Sequence, residues 1–150
     1  MQTVTFVVGL PGSGKSYFAN KLINETVRIL TEQDPNAYIV STIIVDDPKD
    51  FNQDIKPFLE TGCNLYIADH TLCDGVYRYK ATDLLNRLYP HVEIQWIYFE
   101  NKPIICTRNA MHRMALGDNR DVFATIERYA DIYIIPLDAT VVPVVDATRL

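Results

Sequence analysis

The hydrophobic residues of this chain fall into five short runs, and polar stretches with scattered apolar residues separate them. The runs are rich in β-branched and aromatic residues and cover positions 3–9, 37–45, 64–69, 92–99 and 140–145. Runs of this length and composition predict β-strands. Because they are almost continuously apolar, we expect a parallel sheet whose two faces are both covered.

Between the runs, apolar residues recur at spacings of three and four, which is typical of amphipathic helices. Three such faces precede the second, fourth and fifth strands: Ala19, Leu22, Ile23, Thr26 and Leu30; Ala81, Leu84, Leu85 and Leu88; Val122, Ile126, Tyr129 and Tyr133. The alternation of strands and helices predicts one α/β domain over residues 1–150, a five-stranded parallel sheet with helices on both faces. In such a domain, ligands gather at the carboxyl ends of the strands.

Composition narrows the class of protein. The chain has 150 residues, of which 48% are hydrophobic and 22% charged, with a net charge of −5. We therefore expect a globular domain without general affinity for nucleic acid or anionic membranes. Three cysteines without C-x-x-C spacing indicate buried thiols in a reducing compartment. Since no apolar run has membrane-spanning length and the first residues lack a basic leader, we expect a cytoplasmic protein with no membrane partner.

The segment after the first strand, GLPGSGKS at positions 9–16, matches the pattern G-x-x-x-x-G-K-[ST]. It stands between an apolar strand and an amphipathic helix, as a phosphate-binding loop must. Glycines let backbone N–H groups turn toward phosphate oxygens, Lys15 would reach the β- and γ-phosphates, and the Ser16 hydroxyl would ligate Mg²⁺. We therefore expect ATP and Mg²⁺ at this loop, which comprises Gly9, Pro11, Gly12, Ser13, Gly14, Lys15 and Ser16, followed by Tyr17.

Two classes of phosphate-loop protein find no support in the sequence. Switch GTPases carry an N-K-x-D signature, whereas the nearest segment here, positions 101–104, reads N-K-P-I. ATPase motors usually place a glutamate beside the strand-end aspartate, whereas Asp69 is followed by His70. A small phosphotransferase remains, with a non-catalytic nucleotide-binding module as the alternative.

Two of the predicted strands end in aspartate, at Asp46 and Asp69. A carboxylate at the carboxyl end of a strand points toward the phosphates, where it can hold Mg²⁺ or accept a hydroxyl proton. We assign Asp69 to Mg²⁺, with a turn cap as its alternative role. Asp47 precedes Pro48, a common helix start, so we interpret Asp47 as a cap and Asp46 as the general base.

Positive charge is concentrated late in the chain, where residues 102–120 contain four basic residues and one acidic residue. Gly117, Asp118 and Asn119 would break a helix, and Asp118 or Asn119 could cap the next one. Two helices around a flexible break are typical of a lid that closes over transferring phosphates, and we place this lid at about 103–120. Its arginines, whose forks suit phosphate, are Arg108, Arg113 and Arg120.

Four motifs, in this order, resemble the kinase domain of phage-type 5′-polynucleotide kinases and the small P-loop kinases grouped with them. They are GLPGSGKS, the strand-end pair Asp46–Asp47, A-D-H-T at positions 68–71, and C-x-R-N-x-x-H-R at positions 106–113. Y-x-x-P at 133–136 and the closing V-D-A-T at 145–148 also look like that group. The resemblance spans nearly the whole chain and implies a P-loop NTPase fold with strand order 2-3-1-4-5.

The resemblance also implies a role for matching positions in the chemistry. Lys15 and Ser16 would hold ATP and Mg²⁺, and Asp46 would be the base. Arg108 would clamp phosphates. The group's second lid arginine usually falls four residues after the first, and its nearest counterpart here is Arg113, one place later.

The rest of the binding site follows from the same resemblance. The loop that contains Ala147 and Thr148 would lie against the adenine of ATP, and Lys49 is the counterpart of a basic residue in the acceptor channel. We therefore expect an ATP- and Mg²⁺-dependent kinase whose acceptor is a polynucleotide 5′-hydroxyl, such as a single-stranded nucleic-acid 5′ end. A nucleoside, a nucleotide or another small hydroxyl compound is the alternative acceptor.

Overall fold

The computed structural model describes residues 2–36 and 41–149, and over these residues helices surround a five-stranded parallel sheet. In chain order the elements are β1 (Thr3–Val8), α1 (Lys15–Gln33), β2 (Thr42–Asp46), α2 (Phe51–Asp54), α3 (Lys56–Glu60), β3 (Asn64–Asp69), α4 (Gly75–Leu88), β4 (Glu93–Phe99), α5 (Pro103–Ala115), α6 (Phe123–Ala130) and β5 (Val141–Val142). Short 3₁₀ turns occupy His70–Cys73 and Ala147–Arg149.

The strand order is β2-β3-β1-β4-β5, and neighbouring strands run parallel, which confirms the expected topology. The register places Val8, the last residue of β1, beside Asp69 of β3 and Tyr98 of β4. Asp46, the last residue of β2, stands beside Ala68. The phosphate loop and the two strand-end aspartates therefore meet at the carboxyl end of the sheet.

β1 runs through the centre of the core. Its residues Val4, Phe6, Val7 and Val8 are at most 3% exposed. Because successive side chains of a strand point to opposite faces, burial of both Val7 and Val8 requires cover on both sides of the sheet. Such a central strand gives the loop that follows it a rigid base.

Two strands are shorter than the sequence predicts. β2 begins at Thr42, and positions 37–40 of the predicted strand lie outside the described residues. β5 is limited to Val141–Val142. Pro143 follows directly, and proline has no amide hydrogen to donate to the sheet, which explains the early end.

The predicted apolar helix faces pack over part of their length. In α1, Ala19 is buried, whereas Thr26 and Leu30 are exposed, so only the first half of the helix covers the sheet. In α6, Ile126 and Tyr129 are both buried, as the spacing predicted. No helix within residues 2–36 and 41–149 combines the length and the apolar character needed to cross a membrane.

Candidate active site

The phosphate loop makes a tight turn between β1 and α1. Gly12 and Gly14 have φ of 85° and 96°, a left-handed conformation in which a Cβ is strained. A Cβ on Gly12 would also lie 2.4 Å from the carbonyl oxygen of Cys106, because α5 packs directly on the loop. Gly14 is the N-cap of α1, and no described side chain caps this helix. The first amides of α1 are therefore available to an anion.

Lys15 begins α1, and its side chain is buried within the curve of the loop. Its Nζ donates hydrogen bonds to the carbonyl oxygens of Gly9 and Leu10, both at 3.0 Å. Burial lowers the pKa of Lys15, while the nearby carboxylate of Asp47 acts in the opposite direction. Phosphate oxygens are stronger acceptors for an ammonium group than neutral carbonyls, so an anionic ligand could compete for Lys15.

Ser16 and Asp46 come from different elements and are in direct contact. The Ser16 hydroxyl, in the first turn of α1, donates a hydrogen bond to the carboxylate of Asp46 at the end of β2. The predicted general base thus lies against the predicted Mg²⁺ ligand. The Ser16 hydroxyl is a hard oxygen ligand of the kind that Mg²⁺ prefers, and the carboxylate of Asp46 lies next to it.

Asp47 lies at the site and caps no helix, which corrects its predicted role. α2 begins at Phe51, and Asp50 caps it by accepting a hydrogen bond from the amide of Asn52 at 2.9 Å. Asp47 has φ of 41°, and its carboxylate lies 3.0 Å from His70 Nδ1 and accepts from the His70 amide at 3.3 Å. The Asp-Pro pattern gave the wrong cap because Lys49 and Asp50 separate the proline from the start of the helix at Phe51.

Asp47, Asp69 and His70 form a compact cluster at the strand ends, with one ligand atom from each within 4.8 Å of the other two. Burial acts to raise the pKa of Asp47, but hydrogen bonding to His70 and the charge of Lys15 outweigh it, so the pKa is lowered. Asp69 is buried and accepts a hydrogen bond from the Thr71 amide at 2.9 Å. Asp69 therefore caps the turn after β3, the alternative role considered from the sequence, and its Mg²⁺ role stays a prediction.

Arg108 is ion-paired with Asp146, with Nη1 and Oδ2 2.6 Å apart. Asp146 also accepts hydrogen bonds from the hydroxyl and the amide of Thr148, at 2.5 and 3.0 Å. The Thr148 hydroxyl and the Arg108 guanidinium lower the pKa of Asp146 to about 2. The structure thus brings Arg108 together with the predicted adenine loop, Ala147 and Thr148, and shows no contact of Arg108 with Lys15 among the described residues.

The two later lid arginines have different surroundings. Arg113 is half-buried in α5, and its Nε has no hydrogen-bond partner within the described chain. Arg120 forms a fork with Asp118, with Nε–Oδ1 at 3.0 Å and Nη2–Oδ2 at 2.6 Å. The charges of Asp47 and Asp46 also act on Arg120. The carboxylates at the end of β2 are therefore close enough to act on Arg120, and this proximity was not predicted from the sequence.

The break between α5 and α6 lies where the sequence predicts, but its capping differs. Gly117 has φ of 104°, which ends the first helix. Neither Asp118 nor Asn119 caps α6, because this helix begins only at Phe123. The carboxylate of Asp121 accepts a hydrogen bond from the Phe123 amide at 3.3 Å. Because Asp118 does not cap α6, its carboxylate can pair with Arg120.

Asn109, to which the sequence reasoning gave no role, joins three segments. Its side chain is 6% exposed. The amide nitrogen donates to the carbonyl oxygens of Gly12 at 2.9 Å and Val145 at 2.8 Å, and the amide oxygen accepts from the Ala147 N–H at 2.8 Å. One signal was present in the sequence: Asn109 stands three residues after the apolar Cys106, on the same face of α5.

An open groove of about 430 Å³ lies beside Asp46, along the sheet edge formed by β2. Apolar side chains, three carboxylates, one lysine and one amide line it: Ile43, Ile44, Val45, Phe58, Asp46, Asp47, Asp54, Lys49 and Gln53. Because the groove reaches Asp46, a molecule bound in it could present a hydroxyl group to that carboxylate. It also contains Lys49, the predicted basic residue of the acceptor channel.

Comparisons with known proteins identify the fold. No family model matches this chain, and no curated protein matches it by sequence. Among solved structures, it is similar to the crystal structure of a gluconokinase from Sinorhizobium meliloti 1021, with a TM-score of 0.52 and 13% identity. The match covers 95% of this chain and 82% of that one. At this identity the likeness shows a shared fold alone, and it gives no specific support to the phage-type polynucleotide kinases.

Proposed function

We propose that this chain is an ATP- and Mg²⁺-dependent kinase that transfers the γ-phosphoryl group of ATP to a hydroxyl acceptor. The observation that carries the proposal is the contact of Ser16 with Asp46 beside the buried Lys15. A phosphate-binding loop alone serves many kinds of protein. A carboxylate against that loop adds a group that can orient an attacking hydroxyl and accept its proton.

Each residue of this constellation has a defined task in the proposal. Lys15 and the first amides of α1 would hold the β- and γ-phosphates, with Lys15 exchanging its carbonyl partners for phosphate oxygens. Ser16 and Asp69 would hold Mg²⁺, which when bound supplies positive charge to the phosphates. Asp46 would accept the proton of the attacking hydroxyl. The hydrogen bond between Asp47 and His70 would hold the ends of β2 and β3 together next to Asp46.

The lid arginines would add positive charge as the phosphoryl group moves. Arg113 suits this task because its buried Nε finds no hydrogen-bond partner in the described chain and could be satisfied by a ligand oxygen. Arg108 would clamp the nucleotide from the side of the adenine loop, where Asp146 now holds it. A non-catalytic nucleotide-binding module would need neither the Asp46 contact nor these arginines.

Two acceptor classes follow from different observations. The sequence resemblance favours a polynucleotide 5′-hydroxyl, and Lys49 in the groove would meet its backbone. The groove itself favours a small hydroxyl compound, because three carboxylates and one lysine line it. An acidic lining repels a polyanion and accommodates an uncharged or cationic molecule. The second candidate is therefore a kinase of a small hydroxyl metabolite or a nucleoside, whereas a nucleotide acceptor, which is anionic, finds less support in this lining.

The test is transfer of label from radiolabelled ATP to a panel of 5′-hydroxyl oligonucleotides, nucleosides, nucleotides and neutral polyols. We expect one class to accept the label, and we expect Lys15→Ala to abolish transfer while the fold remains intact by circular dichroism. In a competition assay we expect ATP to bind in preference to GTP, because N-K-x-D is absent at positions 101–104.

The outcomes separate the alternatives. Transfer by Lys15→Ala at the parental rate would contradict the role of the loop. Tight ATP binding without transfer to any acceptor class would favour the non-catalytic module. Binding of GTP that is equal to or tighter than that of ATP would contradict the assignment of ATP.

A further inference from the structure

The buried side chain of Asn109 has no role in the proposed phosphoryl transfer, yet it makes three hydrogen bonds. It is 6% exposed, in the middle of α5, and all three of its hydrogen bonds go to backbone groups. A buried amide is costly unless its donors and acceptor are paired, and here both N–H groups and the oxygen have partners. The geometry of this one planar group therefore sets the relative positions of the segments it joins.

These segments are the two that would contact opposite ends of one nucleotide. Gly12 belongs to the phosphate loop, and Val145 and Ala147 belong to the C-terminal loop predicted to lie against adenine. The partners stand 97 residues before Asn109 and 36 and 38 residues after it. Direct packing supports the connection, because a Cβ on Gly12 would lie 2.4 Å from the Cys106 carbonyl oxygen. The phosphate loop, α5 and the C-terminal loop are thus held together at Asn109.

We propose that Asn109 is a positioning residue that holds the phosphate loop and the C-terminal loop at a fixed separation, so that the triphosphate and adenosine ends of ATP bind as one unit. This inference rests on the proposed ATP site. Two loops preset to the length of the ligand avoid the ordering cost that each would otherwise incur on binding. The whole nucleotide then binds more tightly than its separate parts would suggest.

Asparagine meets this requirement where related side chains do not. Alanine would leave the carbonyl oxygens of Gly12 and Val145 and the amide of Ala147 without their partner. Aspartate has nearly the same shape and could still accept from Ala147, but its carboxylate would face two carbonyl oxygens. Asn109→Asp therefore removes the connection to the phosphate loop with little change in packing volume.

Asn101 provides a matched control for a purely structural role. Its amide nitrogen also donates to two backbone carbonyl oxygens, those of Ala130 at 2.9 Å and Tyr133 at 3.2 Å. These partners lie at the end of α6 and just beyond it, outside both nucleotide loops. Asn101→Ala should lower the melting temperature in the same way as Asn109→Ala, without a specific effect on nucleotide binding.

The experiment compares dissociation constants for ATP and for tripolyphosphate, both with Mg²⁺, by calorimetry on the wild type, Asn109→Ala, Asn109→Asp and Asn101→Ala. Tripolyphosphate occupies the phosphate loop alone, whereas ATP spans both loops. We expect both Asn109 variants to reduce the preference for ATP over tripolyphosphate by roughly tenfold or more, within the usual range for coupled sites. Asn101→Ala should keep the wild-type preference.

Each outcome decides a different question. If the Asn109 variants bind both ligands with the wild-type preference, the positioning role is wrong although the ATP site stands. If Asn101→Ala lowers the preference as much as Asn109→Ala, the effect is general destabilisation and the inference is overturned. If the wild type binds neither ligand, the proposed function itself fails. If Asn109→Ala does not fold, the comparison of ATP with tripolyphosphate is made on Asn109→Asp, whose side chain has nearly the same shape as asparagine.

Discussion

At the scale of single residues, the adjacent carboxylates Asp46 and Asp47 have separate environments. Asp46 accepts a hydrogen bond from Ser16, while Asp47 faces His70 with φ of 41°. The hydrogen bond to Ser16 of the phosphate loop therefore belongs to Asp46, whereas Asp47 acts on Lys15 of that loop through its charge alone. This difference makes the two positions a natural pair for assigning the general base.

We expect Asp46→Asn to slow phosphoryl transfer by about 10²–10⁴-fold, the usual effect of losing a general base. The ATP dissociation constant should change little, because the amide oxygen of asparagine can still accept the hydrogen bond from Ser16. Steady-state rates and equilibrium binding, measured on the same preparation, test both parts.

Asp47→Asn is the matched control for that experiment. Asparagine tolerates a positive φ well, so the turn should persist and transfer should slow much less. If Asp47→Asn is inactive and Asp46→Asn is active, Asp47 is the general base and the two assignments are reversed. Parental rates in both variants would show that no base lies at the end of β2.

At the scale of elements, the packing of α5 on the phosphate loop determines the site. Gly12 has both a left-handed φ of 85° and a close neighbour in the Cys106 carbonyl oxygen. Either property alone favours glycine, and together they leave no room for another residue. The sequence pattern places no restriction on this position, whereas the helix on top of the loop does.

We predict that Gly12→Ala destabilises the fold more than Gly117→Ala. Both positions have positive φ, but a Cβ on Gly117 would meet nothing within 4 Å. Gly117→Ala should cost about 1–2 kcal/mol from backbone strain alone. Each kcal/mol corresponds to a loss of roughly 2–4 °C in melting temperature for a chain of this size.

Gly12→Ala should show a larger loss, and it should also weaken ATP binding because the loop and α5 must separate. Thermal unfolding and calorimetry measure the two effects. Equal losses of stability in the two variants would mean that the packing of α5 on the loop does not exclude a Cβ at Gly12.

At the scale of the whole molecule, two of the three thiols lie deep in the fold. Cys73 and Cys106 are 0% exposed, and burial raises their pKa values to about 12 and about 11. Cys63 is partly exposed, which corrects the expectation that all three are buried. All three are free thiols in the described structure. Access to Cys73 and Cys106 therefore requires opening of the core.

Alkylation at about pH 8 should modify Cys63 in the native protein and leave the other two thiols intact, because the reactive species is the thiolate. Modification of Cys73 and Cys106 should appear only in denaturant, with the same midpoint as loss of secondary structure. Mass spectrometry counts the adducts, and Cys63→Ser should show none in the native state. Rapid native modification of Cys106 would indicate that α5 opens without global unfolding.

Much of the fold could be predicted from sequence because the relevant forces are local. Continuous apolar runs indicate strands covered on both faces, and the pattern at positions 9–16 indicates a phosphate loop wherever a strand precedes it and a helix follows. Strand order came from the resemblance to a known group, and the structure confirms it. The proposed tasks of Lys15, Ser16, Asp46 and Asp69 follow from the same local patterns and remain predictions.

The tertiary structure alone decided which side chains meet. The partner of Asp47 is His70, the partner of Arg108 is Asp146, and Asn109 joins the phosphate loop to the C-terminal loop. A local rule assigned Asp47 to a helix cap because Asp-Pro is a good start for a helix, but the helix begins only at Phe51 and its cap is Asp50. Such pairings depend on how elements pack through space, and the periodicity of one element carries no information about the elements that pack against it.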